Sequence, residues 1–180
     1  DMPRTVVDSK TWITCSAAKP CDKNQLCKTD SDNQDKCFDA AGVLDFCGPQ
    51  SFPGTVSRLF HNLGRAGSEG TARFEDVTVR SGLARVLGKA LGVLCADFDG
   101  DRWPDIFIAD DGIPNRLYIN QRNGTFVEEA AMRGLAYNAM GSAVGNMGVA
   151  LGDVNNDDLF DLFVTHLFFE QHALWVQGPR

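Results

Sequence analysis

Two stretches decide how this chain is read: Asp97-Phe-Asp-Gly-Asp-Arg-Trp-Pro-Asp105 and Asp153-Val-Asn-Asn-Asp-Asp-Leu-Phe-Asp161. They begin 153 − 97 = 56 residues apart, and each carries an oxygen-bearing side chain at positions 1, 3, 5 and 9. These are Asp97, Asp99, Asp101 and Asp105 in the first loop, and Asp153, Asn155, Asp157 and Asp161 in the second. Carboxylates packed this densely repel one another unless a cation neutralises them. Calcium suits the pattern, because it accepts six to eight oxygen ligands at about 2.3–2.6 Å in tolerant geometry. Trp103 and Leu159, at position 7, would each add a backbone carbonyl. Magnesium demands stricter octahedral geometry, and zinc wants His or Cys, which neither loop contains. An EF-hand needs a bidentate Glu at position 12. That position holds Ile108 and Val164, both inside apolar, strand-like runs, so the EF-hand fails. Two Ca²⁺ sites are expected, and two such ions would move the formal charge from −7 to −7 + 4 = −3.

Around the loops the sequence repeats. One element occurs three times: Leu59-Phe-His-Asn62, Leu117-Tyr-Ile-Asn120 and Leu174-Trp-Val-Gln177. A second, Gly70-Thr-Ala-Arg-Phe-Glu-Asp-Val77 and Gly124-Thr-Phe-Val-Glu-Glu-Ala130, follows the first two copies and leads to Gly82-Leu83 and Gly134-Leu135. A third, Gly92-Val-Leu-Cys-Ala-Asp97 and Gly148-Val-Ala-Leu-Gly-Asp153, runs through each loop into Ile106-Phe-Ile108 or Leu162-Phe-Val164. Several short apolar runs per period, separated by Gly, Asn and Asp turns, predict strands joined by tight connections. Periods of this size with several strands each point to propeller blades, none of which can bury its faces alone. Little more than two periods are present, short of the four to eight blades of a closed propeller. The expected fold is therefore all-β, with four-stranded antiparallel blades in an incomplete propeller over residues 55–180.

Residues 1–54 read as a separate, Cys-rich, irregular segment that closes on Cys47-Gly-Pro-Gln-Ser-Phe-Pro-Gly54. Five of the six cysteines lie here (Cys15, Cys21, Cys27, Cys37, Cys47), while Cys95 stands alone in an apolar strand. No CxxC or CxxCH occurs, so the clustered thiols read as disulfide staples of an oxidising compartment. Six cysteines allow 15 pairings, and the pattern selects none. Five thiols leave a remainder, to be free or paired with Cys95 or another chain. Asp30, Asp32 and Asp35 form a charge run that reads as a solvated loop.

Composition excludes other classes. The chain has 17 Lys plus Arg against 24 Asp plus Glu and lacks the basic stripe of a nucleic-acid binder. No apolar run approaches the roughly 18 residues of a membrane-spanning helix. No GxSxG, HExxH or Walker-type loop is present. His61, His166 and His172 have no partner motif and read as satisfied or exposed side chains. No enzyme is expected. Asn123-Gly124-Thr125 is a glycosylation sequon, but Asn-Gly between strand-like runs reads first as a hairpin turn.

The strings LFHN, FEDVT, GVLCADFDGDRWPDIFIADDGIPNRLYIN, NGTFVEEA, MGVALGDVNNDDLFDLFVTH and LWVQGP resemble the FG-GAP/VCBS repeats of cartilage-acidic-protein-like (ASPIC/UnbV-associated) extracellular proteins. The resemblance implies a β-propeller with calcium held in the loop between two strands of a blade, on the loop residues named above. Two departures stand out: Arg102 and Asp158 occupy positions that the family often fills with Gly, and Asn156 replaces the Gly of the turn. The second loop, with Asn155 for Asp, is expected to bind more weakly. The resulting expectation is a secreted or surface-exposed module, in the extracellular space or the periplasm, that binds a protein or glycan partner and uses calcium structurally. Two alternatives accompany it. One is a self-assembling subunit, a homo-oligomer or polymer joined through open blade edges. The other is the non-catalytic part of a secreted hydrolase.

Overall fold

The computed structural model describes residues 26–29, 35–38, 42–45, 52–66 and 70–178. Cys15, Cys21, Cys47, Asp30 and Asp32 lie outside the described residues. The chain divides into two compact units, 1–53 and 54–180.

The first unit contains three short antiparallel strands, β1 (Leu26–Thr29), β2 (Asp35–Phe38) and β3 (Leu44–Asp45), in the order β1-β2-β3. This corrects the expectation of an irregular segment. Strands of four, four and two residues are too short to show apolar alternation in a Cys-rich, polar sequence. The register sets Cys27 opposite Cys37.

In the second unit the described elements are antiparallel strands and one 3-10 turn at Leu83–Arg85. β4 (Phe60–Arg65) and β5 (Ala72–Asp76) pair alone. β6 (Ala90–Ala96), β7 (Asp105–Asp110), β8 (Arg116–Asn120) and β9 (Phe126–Glu128) form a four-stranded sheet in sequential order. β10 (Val149–Gly152), β11 (Asp161–Val164) and β12 (Ala173–Trp175) form a third sheet. The sequence repeats map onto these strands. The Leu-x-x-Asn element builds β4, β8 and β12, and the Gly-Val element builds β6 and β10. The carboxylate-rich loops are the β6–β7 and β10–β11 connections.

The four-stranded sheet is the centre of the unit, because both of its faces are covered. Alternate side chains of a strand point to opposite faces, and here each set has its own apolar partner. Phe107, Ala109, Leu117 and Ile119 pack with Leu162 and Val164 of β11, with Ala130 and Ala136 completing the cluster. Ile106, Ile108 and Tyr118 pack on the other face with Leu83, Leu59 and Phe126. β7 is consequently buried along its whole length. Each such Leu, Ile or Phe contributes roughly 1.5–3 kcal/mol on burial. The β10–β12 sheet is covered on one side only, and β4 is exposed along its whole length. Phe60 and Phe74 on β4–β5, and Phe163 and Leu174 on β11–β12, face solvent. Leu91 and Val93 of β6 are exposed as well.

A buried ion pair fastens the start of the unit to this sheet. Arg116, 3% exposed, donates through Nε to Asp110 Oδ2 at 2.7 Å and through Nη2 to Asp110 Oδ1 at 2.9 Å. Its remaining donors reach Val86 O and Ser57 Oγ, and Asp110 Oδ1 also accepts from the Lys89 amide. Desolvation pulls the guanidinium pKa down, and the hydrogen bonds and charge of Asp110 more than restore it. The pair demands glycine at position 88, since a Cβ there would overlap both the guanidinium and the Asp110 carboxylate. Gly88 in turn bridges to Thr55.

Between the second and third sheets the fastening is a network of hydrogen bonds. Buried Asn146 donates through Nδ2 to the carbonyls of Asp110 and Val144, at 2.8 and 2.9 Å. Its Oδ1 meets His166 Nε2 at 2.8 Å, and His166 Nδ1 lies 2.7 Å from Gln171 O. His166 is thus a buried structural residue with both ring nitrogens engaged, whereas His61 is exposed.

Removing one member of a buried pair leaves an uncompensated charge, which costs about 3–5 kcal/mol. Arg116→Ala is therefore expected to lower the unfolding free energy by that amount in urea titrations. Gly88→Ala should fall in the same direction. A loss below about 1 kcal/mol for Arg116→Ala would contradict this account of the junction.

Candidate metal centre

The two carboxylate-rich loops fold the same way, hydrogen bond for hydrogen bond. Asp97 Oδ1 accepts the Asp101 amide at 3.0 Å and Oδ2 accepts the Arg102 amide at 2.8 Å. Asp153 does the same with Asp157 at 3.1 Å and Asp158 at 3.0 Å. Asp99 Oδ1 and Asn155 Oδ1 each accept the amide two residues on, both at 3.2 Å. Asp101 Oδ1 accepts from Trp103 N at 2.7 Å, and Asp157 Oδ1 from Leu159 N at 2.9 Å. The bonds of Asp99, Asn155, Asp101 and Asp157 are successive Asx turns, in which the side chain of residue i caps the backbone two residues on. They curl the chain so tightly that left-handed backbone is needed. Gly100 (φ 72°) and Arg102 (φ 70°) supply it in the first loop, and Asn156 (φ 59°) and Asp158 (φ 63°) in the second. Asn and Asp tolerate this region better than most residues.

The ninth residue closes each loop. Asp105 is buried and accepts from Phe98 N and Asn120 N, both at 2.8 Å. Asp161 repeats the clasp with Val154 N at 2.8 Å and Gln177 N at 2.9 Å. Burial pushes the Asp105 pKa up, its two amide donors pull against this, and the charges of Asp99 and Asp101 add to the rise. Asn120 also donates through Nδ2 to Pro104 O at 3.0 Å, holding β8 against the loop.

Of the residues named from sequence, Asp97, Asp99 and Asp105 converge, each offering a carboxylate oxygen within 4.8 Å of the others. A set of three hard oxygens is the donor chemistry that suits calcium. Asp101 is not in this group. Its Oδ2 instead receives Arg122 Nε at 2.7 Å, and its pKa is lowered, first by the Trp103 amide and further by Arg122. In the second loop, Asp157 Oδ2 is held by the neutral Asn155 Nδ2 at 2.9 Å. Trp103 and Leu159 are seen here as amide donors. The residues that motif reading missed are the cations. Arg122 stands on the β8–β9 hairpin, and Arg133 Nη2 lies 3.9 Å from Asp99 Oδ2 while its Nε binds Glu129. Neither belongs to the nonamer, so no spacing rule reveals them.

The Asn123-Gly124 turn closes on the bond from Gln121 N to Thr125 O at 2.9 Å. The connection is longer than a two-residue turn, with left-handed backbone at Arg122 (φ 60°) and Gly124 (φ 83°) rather than at Asn123.

Residues 97–164, which span both loops and the strands between them, match the FG-GAP-like repeat family. Mouse (Mus musculus) cartilage acidic protein 1 is 33% identical over 110 residues, covering 61% of this chain and 16% of that protein. The chain thus spans about a sixth of the length of that relative.

Losing a buried acceptor strands the donors it served, at about 1–3 kcal/mol. With calcium chelated, Asp105→Ala is expected to destabilise the second unit by about 2–4 kcal/mol, because two amides lose their partner. Asp99→Ala should cost less than about 1 kcal/mol under the same conditions, since its single backbone bond is long. Urea unfolding in EDTA measures both, and equal losses would contradict the assignment of Asp105 as the clasp.

Proposed function

We propose that this FG-GAP repeat protein, related to cartilage acidic protein 1, is a calcium-ordered extracellular β-propeller module that acts by binding a protein partner. The observation that carries the calcium reading is the convergence of Asp97, Asp99 and Asp105 within 4.8 Å, in a loop whose every turn is closed by carboxylates. Asp153, Asn155, Asp157 and Asp161 would form the equivalent second site, weaker by one charge. Bound calcium would supply positive charge against this repulsion, so that binding free energy becomes folding free energy. The protein's own residues set the geometry: Asp105 and Asp161 fix the loop to the sheet, and the left-handed residues turn it.

The propeller reading is supported by the order of elements within the sheets. The four-stranded sheet runs Gly-Val strand, apolar strand, Leu-x-x-Asn strand, then the second element. The flanking sheets contain parts of the same series, and β11 of the third sheet packs on one face of the four-stranded sheet. Stacked repeats of this kind bury a face only against a neighbour. Binding is supported by what stays uncovered. Phe60, Phe74, Leu91 and Val93 on one side, and Phe163 and Leu174 on the other, give apolar surface suited to a protein rather than a glycan. The disulfide-stapled, oxidising-compartment reading is supported by Cys27 facing Cys37 in the β1–β2 register. Cys95 is free and exposed on β6.

Calorimetric titration of calcium, paired with thermal melts, tests the proposal. Two sites per chain and a melting temperature that rises with calcium are expected. Both effects should vanish in the Asp99→Ala/Asp157→Ala double variant. No heat up to millimolar calcium and an unchanged melt would remove the metal from the reading.

A further inference from the structure

We infer that Arg122 is a built-in counter-ion of the first loop, which competes with the cation for Asp101 and sets that loop's calcium affinity below what its carboxylate count alone implies. The inference rests on the calcium reading and adds a determinant outside the loop itself. Its ground is the way Asp101 is used. Position 5 of the loop carries a carboxylate, yet that carboxylate stands apart from the Asp97, Asp99 and Asp105 group and pairs with Arg122 Nε at 2.7 Å. The side chain of Asp101 is 12% exposed, so its charge is largely withdrawn from water and needs a partner.

Arg122 is held where it can serve. It occupies left-handed backbone (φ 60°) in the β8–β9 hairpin, and its amide donates to Asn120 Oδ1 at 2.9 Å. The same Asn120 gives its own amide to Asp105. One residue therefore positions both the clasp of the loop and the base of the competing arginine. A second cation, Arg133, approaches Asp99 at 3.9 Å but is already paired with Glu129 at 2.8 Å, so it lends field more than a bond.

The second loop lacks this device. Among the described residues no Arg or Lys pairs with Asp153, Asp157 or Asp161, and the contact made by Asp157 Oδ2 is to a neutral amide. The loops thus differ in two opposing ways. The first has one more carboxylate at positions 1, 3, 5 and 9, and the second has no arginine to displace. For a cation to recruit Asp101, the Arg122 pair must open, and the freed guanidinium stays as a like charge at short range. The same pair lets the first loop keep its shape without metal, since Asp101 already has a positive partner. An ion pair whose arginine is 57% exposed is worth at most about fivefold in a competing equilibrium, and salt weakens it.

The test is calcium calorimetry on the full chain carrying Asp157→Ala, so that the first loop reports alone. In that background Arg122→Gln is expected to bind calcium about two- to fivefold more tightly, and Arg122→Lys, which keeps the charge, to stay close to the parent. Adding Asp101→Asn should abolish the gain from Arg122→Gln, because the competition runs through that carboxylate. Circular dichroism checks that each variant is folded. Unchanged or weaker binding by Arg122→Gln, with calcium still bound, overturns the inference and leaves the calcium reading standing. No calcium binding by any form overturns both.

Discussion

The second unit depends on a carboxylate that does not easily carry its charge. Asp105 opens β7 inside the protein, where burial raises its pKa and the neighbouring acids raise it further. It is retained because it binds two amides that belong to different parts of the chain, Phe98 at the head of the loop and Asn120 at the end of β8. One side chain thereby ties the loop to the strand on either side of β7. Asp161 does the same between Val154 and Gln177. An amide side chain could accept one of these bonds but would bring a donor where both neighbours are donors, so a carboxylate is the residue that satisfies the geometry. The burden of desolvation is also what makes a nearby cation valuable, since local positive charge reverses the pKa logic of the site.

The repeated oxygen spacing and the recurring strand elements were legible because they are local. Positions 1, 3, 5 and 9 can be counted, and the two loops agree in every backbone hydrogen bond those side chains make. The left-handed positions were legible too, as Arg102, Asn156 and Asp158 stand where glycine would be the easy choice. What could not be read was anything set by residues far apart in the chain. Asp101 looks like its neighbours in the nonamer, but its partner lies on a hairpin beyond β8. Arg116 and Asp110 sit in an ordinary-looking IADDGIPNRLYIN string, and only the sheet register puts them side by side in the interior. The strands β1 to β3 escaped notice for another reason: they are too short to show a period.

The two repeats show how much chemistry a fixed backbone pattern tolerates. By register, Ile108 corresponds to Val164 and Arg116 to Ala173, which aligns Asp110 with His166 and Asn115 with His172. In the first repeat the Asp110 amide donates to Asn115 Oδ1 at 3.2 Å, and in the second the His166 amide donates to His172 Nδ1 at 3.0 Å. The bond is the same and the acceptor different. The buried side chain at the head of that bond then diverges, an ion pair with Arg116 in one case and an imidazole between two carbonyl oxygens in the other. A buried polar group is constrained to be satisfied, not to be satisfied by a particular residue.

That freedom also explains where the oxygen pattern of the two loops is strict and where it is loose. The central sheet is buried on both faces and takes its stability from contact between sheets, so its strands need only be apolar and in register. The connections have no apolar contact of comparable extent to hold them. Their shape comes from carboxylates bonded to their own backbone, and each such bond fixes a side chain that repels the next. The ninth residue, doing its work inside the protein, is Asp in both loops, whereas the third varies between Asp99 and Asn155 at no cost to the hydrogen bond it makes. Charge can be traded away at positions whose oxygen is needed only as an acceptor. At Asp101, where charge is kept, Arg122 supplies a counter-charge from outside the motif.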